Sequence, residues 1–71
     1  MRISDTEISL WFKRDRAHVE LRHVETGLTI IEWWDEEVNE AIEDGFLNPR
    51  AYHATAFEYA QYLGLFDKVL S

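Results

Sequence analysis

The sequence contains no cysteine, one proline and three glycines. Without thiols it has no disulfide framework, no thiolate nucleophile and no cysteine-based zinc site, so its stability must come from packing or from a partner. A reducing compartment fits that usage, and the chain is expected to be cytoplasmic. No apolar run approaches the roughly 20 residues of a membrane span, and MRISDTEISL lacks the charged-then-apolar build of a signal peptide. No membrane partner is expected. Gly27, Gly45 and Gly64 each fall where a turn or a helix end is predicted, which leaves none for a loop that cradles phosphate.

Basic residues are missing from the middle of the chain. The net charge is −7, yet residues 1–22 carry five bases and four acids, residues 23–49 carry eight acids and no base, and residues 50–71 carry two of each. The excess is concentrated in Glu32 to Asp44, EWWDEEVNEAIED, with seven carboxylates in thirteen residues. Such a chain is repelled by nucleic acid and by anionic membranes and is steered toward basic protein surfaces. It is not a disordered acidic tail. Hydrophobic residues make up 46% of it, including three Trp, three Tyr and four Phe, enough for a core.

Seventy-one residues form one small domain, residues 1–71, that buries only about 60% of the unfolded chain's surface. Ile8, Leu10 and Phe12 alternate with Glu7, Ser9 and Trp11, and Ala17, Val19 and Leu21 alternate with His18, Glu20 and Arg22, which predicts two half-buried strands. A turn over Lys13 to Arg16 pairs Phe12 with Ala17, Leu10 with Val19 and Ile8 with Leu21, so the apolar faces coincide. A three-residue loop, Glu25-Thr26-Gly27, then leads to a third strand with Ile31 beside Leu21 and Trp33 beside Val19. This register puts Trp11, Val24, Leu28 and Ile30 on the outer face, an apolar patch that predicts a homodimer.

At 100° per residue, Trp34, Val38, Ala41, Ile42 and Phe46 share one side of a helix, while Glu36, Glu37, Glu40, Glu43 and Asp44 crowd the other. Asp35 is the predicted N-cap and Gly45 the residue that ends the helix. Glu36 and Glu37 complement the positive end of the helix dipole. Glu43 and Asp44 oppose its negative end, with no Lys or Arg at i+3 or i+4. Asn48-Pro49 predicts the cap and first residue of a second helix running to about Leu63. Its core stripe is Tyr52, Ala56, Tyr59, Ala60 and Leu63, and its outward positions Ala51, Ala54, Thr55, Gln61 and Tyr62 carry no charge. Gly64 closes it, and residues 67–71 add a turn or fray. The expected fold is α+β: a three-stranded antiparallel meander followed by two helices packed on one face.

No catalytic residue and no cofactor are expected. His18 and His23 lie on opposite faces of one strand and no two histidines have helical ligand spacing, which predicts surface or rim histidines without a metal. DEEVNEAIEDG lacks the alternating ligands of a calcium loop. The serines and threonines lie outside any nucleophile elbow, and carboxylates on an exposed helix are hydrated. The hairpin tip Lys13, Arg14 and Arg16, near Arg22 and Trp11, is the one basic cluster, and Asp15 within it weakens any attraction for RNA. No direct nucleic-acid binding is expected.

The partner-binding residues inferred from this pattern are Glu36, Glu37, Glu40, Glu43 and Asp44, with Glu32 and Trp11. Glu36 to Asp44 spans about 12 Å at 1.5 Å per residue, and its five carboxylates match or exceed the one phosphate per roughly 3.4 Å of a DNA strand. In size, acidity and lack of catalytic equipment the chain resembles, as a class, the small anti-restriction and anti-CRISPR inhibitors of phages and plasmids. That resemblance implies a nucleic-acid mimic that occupies a basic surface on a nucleic-acid-binding complex. The alternative expectation is an adaptor or homo-oligomeric structural protein that binds through the outer sheet face or the uncharged side of the second helix.

Overall fold

The computed structural model describes residues 1–67. A single 3-10 turn, Ile3–Asp5, leads into three strands, β1 (Thr6–Lys13), β2 (Arg16–His23) and β3 (Thr29–Trp34), and then two helices, α1 (Glu36–Glu43) and α2 (Tyr52–Tyr62). The strands form one antiparallel sheet in the order β1-β2-β3, and both helices pack against it, so the α+β meander expected from the sequence is the fold. All but the first residue of the expected extra turn at 67–71 lies outside the described residues.

β1 and β2 pair in the predicted register, with Ile8 opposite Leu21, Leu10 opposite Val19 and Phe12 opposite Ala17. The hairpin closes over Arg14 and Asp15 without glycine, and Arg14 takes a positive φ of 43°. Across the other ladder Val19 faces Trp33 and Leu21 faces Ile31, again as expected. The connection between them differs. The loop is one residue longer than predicted: His23 N–H donates to Leu28 O at 2.8 Å and Gly27 N–H to His23 O at 2.8 Å, with Gly27 left-handed. Arg22 therefore faces Thr29, and a bulge between Leu21 and Arg22 absorbs the extra residue. Thr29 turns outward to donate its hydroxyl to Glu20, and Ile30 turns inward, 8% exposed, into the core.

That core contains Val19, Leu21, Ile30 and Trp33 from the sheet, Val38 and Ala41 from α1, Leu47 from the connection, and Ala56, Ala60 and Phe66. Ala56 and Ala60 of α2 are fully buried, which lets this helix lie close to the sheet. Three residues expected on core stripes are not there, while Ile42, Tyr52 and Tyr59 are half-buried and pack against the core. Trp34 ends β3 and points to the outer face, Leu63 is the exposed C-cap of α2, and Phe46 follows α1 and is exposed.

Asn48-Pro49 does not start α2. Asn48 Oδ1 accepts Arg50 N–H at 2.9 Å and Asn48 O accepts Ala51 N–H at 2.8 Å, a side-chain-stabilised turn that delays the helix to Tyr52. Asn48 N–H in turn donates to Thr55 Oγ at 3.1 Å, so Thr55 faces the turn and not solvent. Both helices end alike. Phe46 N–H reaches Ala41 O and Gly45 N–H reaches Ile42 O. Leu65 N–H reaches Ala60 O and Gly64 N–H reaches Gln61 O. These are the paired bonds of a Schellman closure, with the predicted glycines at positive φ.

Candidate acidic docking surface

The residues that hold α1 to the sheet are few. Val38 and Ala41 are buried and Ile42 is half-buried, one apolar position per turn on the sheet side. Every other side chain of the helix is free of the core. Glu36, Glu37, Glu40, Glu43 and Asp44 are all exposed, and none forms an ion pair among the described residues. Of the five, Glu37 alone accepts a hydrogen bond, from Trp34 N–H at 3.3 Å.

Asp35 stands at the N-cap position, but its carboxylate does not cap the helix. Its backbone φ of 48° and ψ of −115° turn the chain sharply from β3 into α1, and the side chain swings back to β2. There Oδ1 accepts Ala17 N–H at 3.0 Å and Oδ2 lies 3.6 Å from Arg16.

The acidic face leans toward one flank. Glu37, Glu40 and Asp44 border a groove of about 210 Å³ that also includes Trp33, Phe46 and Tyr59. The Phe46 and Tyr59 rings stack at 4.2 Å between centroids, and Tyr59 lies 6.2 Å from Trp33. Phe46, expected in the core, is exposed here as an aromatic wall. Carboxylates beside aromatic faces suit a guanidinium group, which can pair with the former and stack on the latter.

Glu32 and Trp11 lie on the opposite face of the sheet, so the structure does not join them to the α1 acids. Glu32 Oε2 is 3.0 Å from His18 Nε2, and the His18 ring stacks on Trp34 at 3.8 Å. Trp11, on β1, has Lys13 Nζ 5.7 Å from its ring. The outer patch predicted from Trp11, Val24, Leu28 and Ile30 loses Ile30 to the core; the other three are exposed. The outward side of α2 is not uncharged either: Glu58 is exposed there, with Ala54, Gln61 and Tyr62.

One polar cluster escaped the sequence reading. On the outer face Glu20 is 6% exposed, accepts the Thr29 hydroxyl at Oε2, and accepts Arg22 Nη2 at Oε1 at 2.7 Å. Arg22 also lies 3.6 Å from Glu7. The Thr29 hydrogen bond, helped by Arg22, holds the Glu20 carboxyl below its usual range against the opposing effect of burial, and Glu20 in turn raises Arg22. Glu20 and Arg22 are visible as same-face neighbours in a strand, but Thr29 reaches them only because of the bulge.

The histidines have local partners. His23 has Nδ1 2.8 Å from Thr26 Oγ, and His53 Nε2 is 2.8 Å from Thr6 Oγ; His23 is buried at the end of β2 and is not a surface histidine. Among the described residues no three His, Cys, Asp or Glu side chains converge on a metal position. No described helix is long and apolar enough to cross a membrane. Comparison with protein-family models, with curated proteins and with solved structures finds no match to the chain.

Proposed function

We propose that this chain is a non-enzymatic protein-binding module whose α1 face docks on a basic surface of a partner, most concretely as an inhibitor that occupies a nucleic-acid-binding surface. The observation that carries the reading is the set of five exposed carboxylates, four on α1 and Asp44 at its C-cap, with no basic partner among the described residues. Like charges a turn apart and acids at a helix C-terminus each oppose helix stability, so local structure gives no reason for Glu40, Glu43 and Asp44. A basic groove that normally holds phosphates would favour them. The flank formed by Glu37, Glu40, Asp44, Phe46 and Tyr59 would take an arginine from that groove.

The test is affinity capture from host lysate, with wild type beside the triple variant Glu40→Gln, Glu43→Gln, Asp44→Asn, at two salt concentrations. Capture of a nuclease or another nucleic-acid-binding complex, lost in the variant and weakened by salt, supports the proposal. Binding that is unchanged in the variant and flat with salt removes it.

A second reading, an adaptor, draws on Tyr62, which is 83% exposed on α2 beside the exposed Leu63. It predicts capture of a metabolic or structural assembly that is lost in Tyr62→Ala and unaffected by the triple variant.

A further inference from the structure

The edge of β1 is the most exposed apolar feature of the sheet. Leu10 and Phe12 lie on the helix side but are 45% and 53% exposed, although the Tyr52 ring of α2 lies 6.1 Å from that of Phe12, and Trp11 on the other side is 42% exposed. The backbone of Leu10 and Phe12 also has no partner among the described residues. Ala17 exchanges hydrogen bonds with Asp35, and His23 with Leu28 and Gly27, so both ends of β2 direct alternate residues toward the β3 side. The alternation carries through Val19 and Leu21. Their partners in β1, Ile8, Leu10 and Phe12, therefore point N–H and C=O away from the sheet, toward a free edge.

Edge strands are ordinarily protected by bulges, proline or inward-facing charge. β1 has none of these: its eight pairs with β2 run without a register shift, it contains no proline, and its two charges, Glu7 and Lys13, lie at its ends on the outer face.

We propose that β1 pairs antiparallel with β1 of a second copy of this chain, continuing the sheet to six strands about a two-fold axis at Leu10. The charges select the partner. With Leu10 opposite Leu10, Glu7 faces Lys13 twice, Ile8 faces Phe12 twice and Ser9 faces Trp11 twice, so each strand charge meets its opposite and Ile8, Leu10 and Phe12 of both copies share one face. A register shift must be by two residues to keep the faces matched. One such shift sets Lys13 against Ser9. The other sets it against Asp5, which lies in the 3-10 turn with its carboxylate on Arg2 N–H. Leu10 on the axis is thus the one register that pairs opposite charges within the strand. The acidic helix does not obstruct it, since α1 packs on β2 and β3, away from this edge.

Sedimentation equilibrium up to high micromolar concentration, on the intact chain, tests the interface. Wild type is expected to dimerise, and Leu10→Lys, a change at a half-exposed position, to be a monomer with unchanged circular dichroism. Charge variants test the register without relying on Leu10. Glu7→Lys and Lys13→Glu should each self-associate several-fold more weakly, because each places like charges opposite, whereas their equimolar mixture should recover wild-type dimerisation as a heterodimer. Leu10→Cys should form a disulfide dimer on oxidation, since directly opposed, hydrogen-bonded residues stand about 5.5 Å apart at Cα, within bridging range. A monomeric wild type, a Leu10→Lys protein that remains dimeric, or a mixture no stronger than its components would each overturn the proposal.

Discussion

Asp35 and Ala17 hold each other by two hydrogen bonds: Asp35 N–H donates to Ala17 O at 2.7 Å, and Ala17 N–H donates to Asp35 Oδ1 at 3.0 Å. This exchange extends the β2-β3 ladder by one residue through a side chain and fixes where α1 begins. It persists although Asp35 occupies a backbone region that strains any residue with a Cβ.

Substitutions at Asp35 should therefore rank in an order that helix capping does not predict. Asp35→Asn keeps an acceptor for Ala17 and loses only the exposed pair with Arg16, a change of a few tenths of a kcal/mol. Asp35→Gly relieves the strain but loses the acceptor. Asp35→Ala keeps the strain and loses the acceptor, and should cost about 1–3 kcal/mol. Urea unfolding of the three variants would give Asn, Gly, Ala in order of increasing damage; equal losses for all three would contradict this role.

Stability should also report on Glu20. Its folded acidity is stronger than its unfolded value of 4.5, so the folded state binds a proton less readily than the unfolded one. The contribution is complete above that value and is lost as pH falls through the lower folded value. Glu20→Gln should flatten the acid limb of a stability-versus-pH curve, and Thr29→Val, which removes the first of the carboxylate's partners, should cost about 1–3 kcal/mol at neutral pH. An acid limb as steep in Glu20→Gln as in wild type would place the titration elsewhere.

The bulge makes a prediction that simple strand alternation reverses. Ile30→Ala should cost about 2–5 kcal/mol as a buried truncation, whereas Leu28→Ala and Val24→Ala should stay within about 0.5 kcal/mol. Thermal unfolding of the three single variants is sufficient, and a mild Ile30→Ala would return that side chain to the outer face.

For the acidic helix, the triple variant Glu40→Gln, Glu43→Gln, Asp44→Asn should be as stable as wild type or firmer by a few tenths of a kcal/mol for each repulsion removed. A clear loss of melting temperature would mean that these acids have a structural role.

Where a single physical rule governs a segment, the sequence was readable. Alternation with coincident apolar faces gave both strand registers, and Gly45 and Gly64 marked both helix ends. Competing rules hid the rest. A one-residue bulge leaves no mark in an apolar run such as Ile30-Ile31, so alternation places Ile30 on the outer face with Trp11, Val24 and Leu28, and the bulge removes Ile30 alone. Asn48-Pro49 has the same composition whether it caps a helix or turns before one, and Thr55, seven residues away, favours the turn. Trp33-Trp34 spans the switch from a period of 2 to one of 3.6, and extending the helical period one turn too early put Trp34 in the core. The five acids are legible because one helix and its C-cap hold them, but their separation from Glu32 and Trp11 depends on which sheet face α1 covers.

The Schellman closure after Glu43 limits α1 to eight residues, about two turns. A helix that short does not persist alone in water, because nucleation costs more than so few bonds return. Its shape is therefore on loan from the sheet through Val38 and Ala41, and a synthetic peptide of residues 35–46 would carry every charge yet hold none in place. Any activity of the acidic face should accordingly disappear in the same transition that unfolds the β-meander, with no separable minimal fragment.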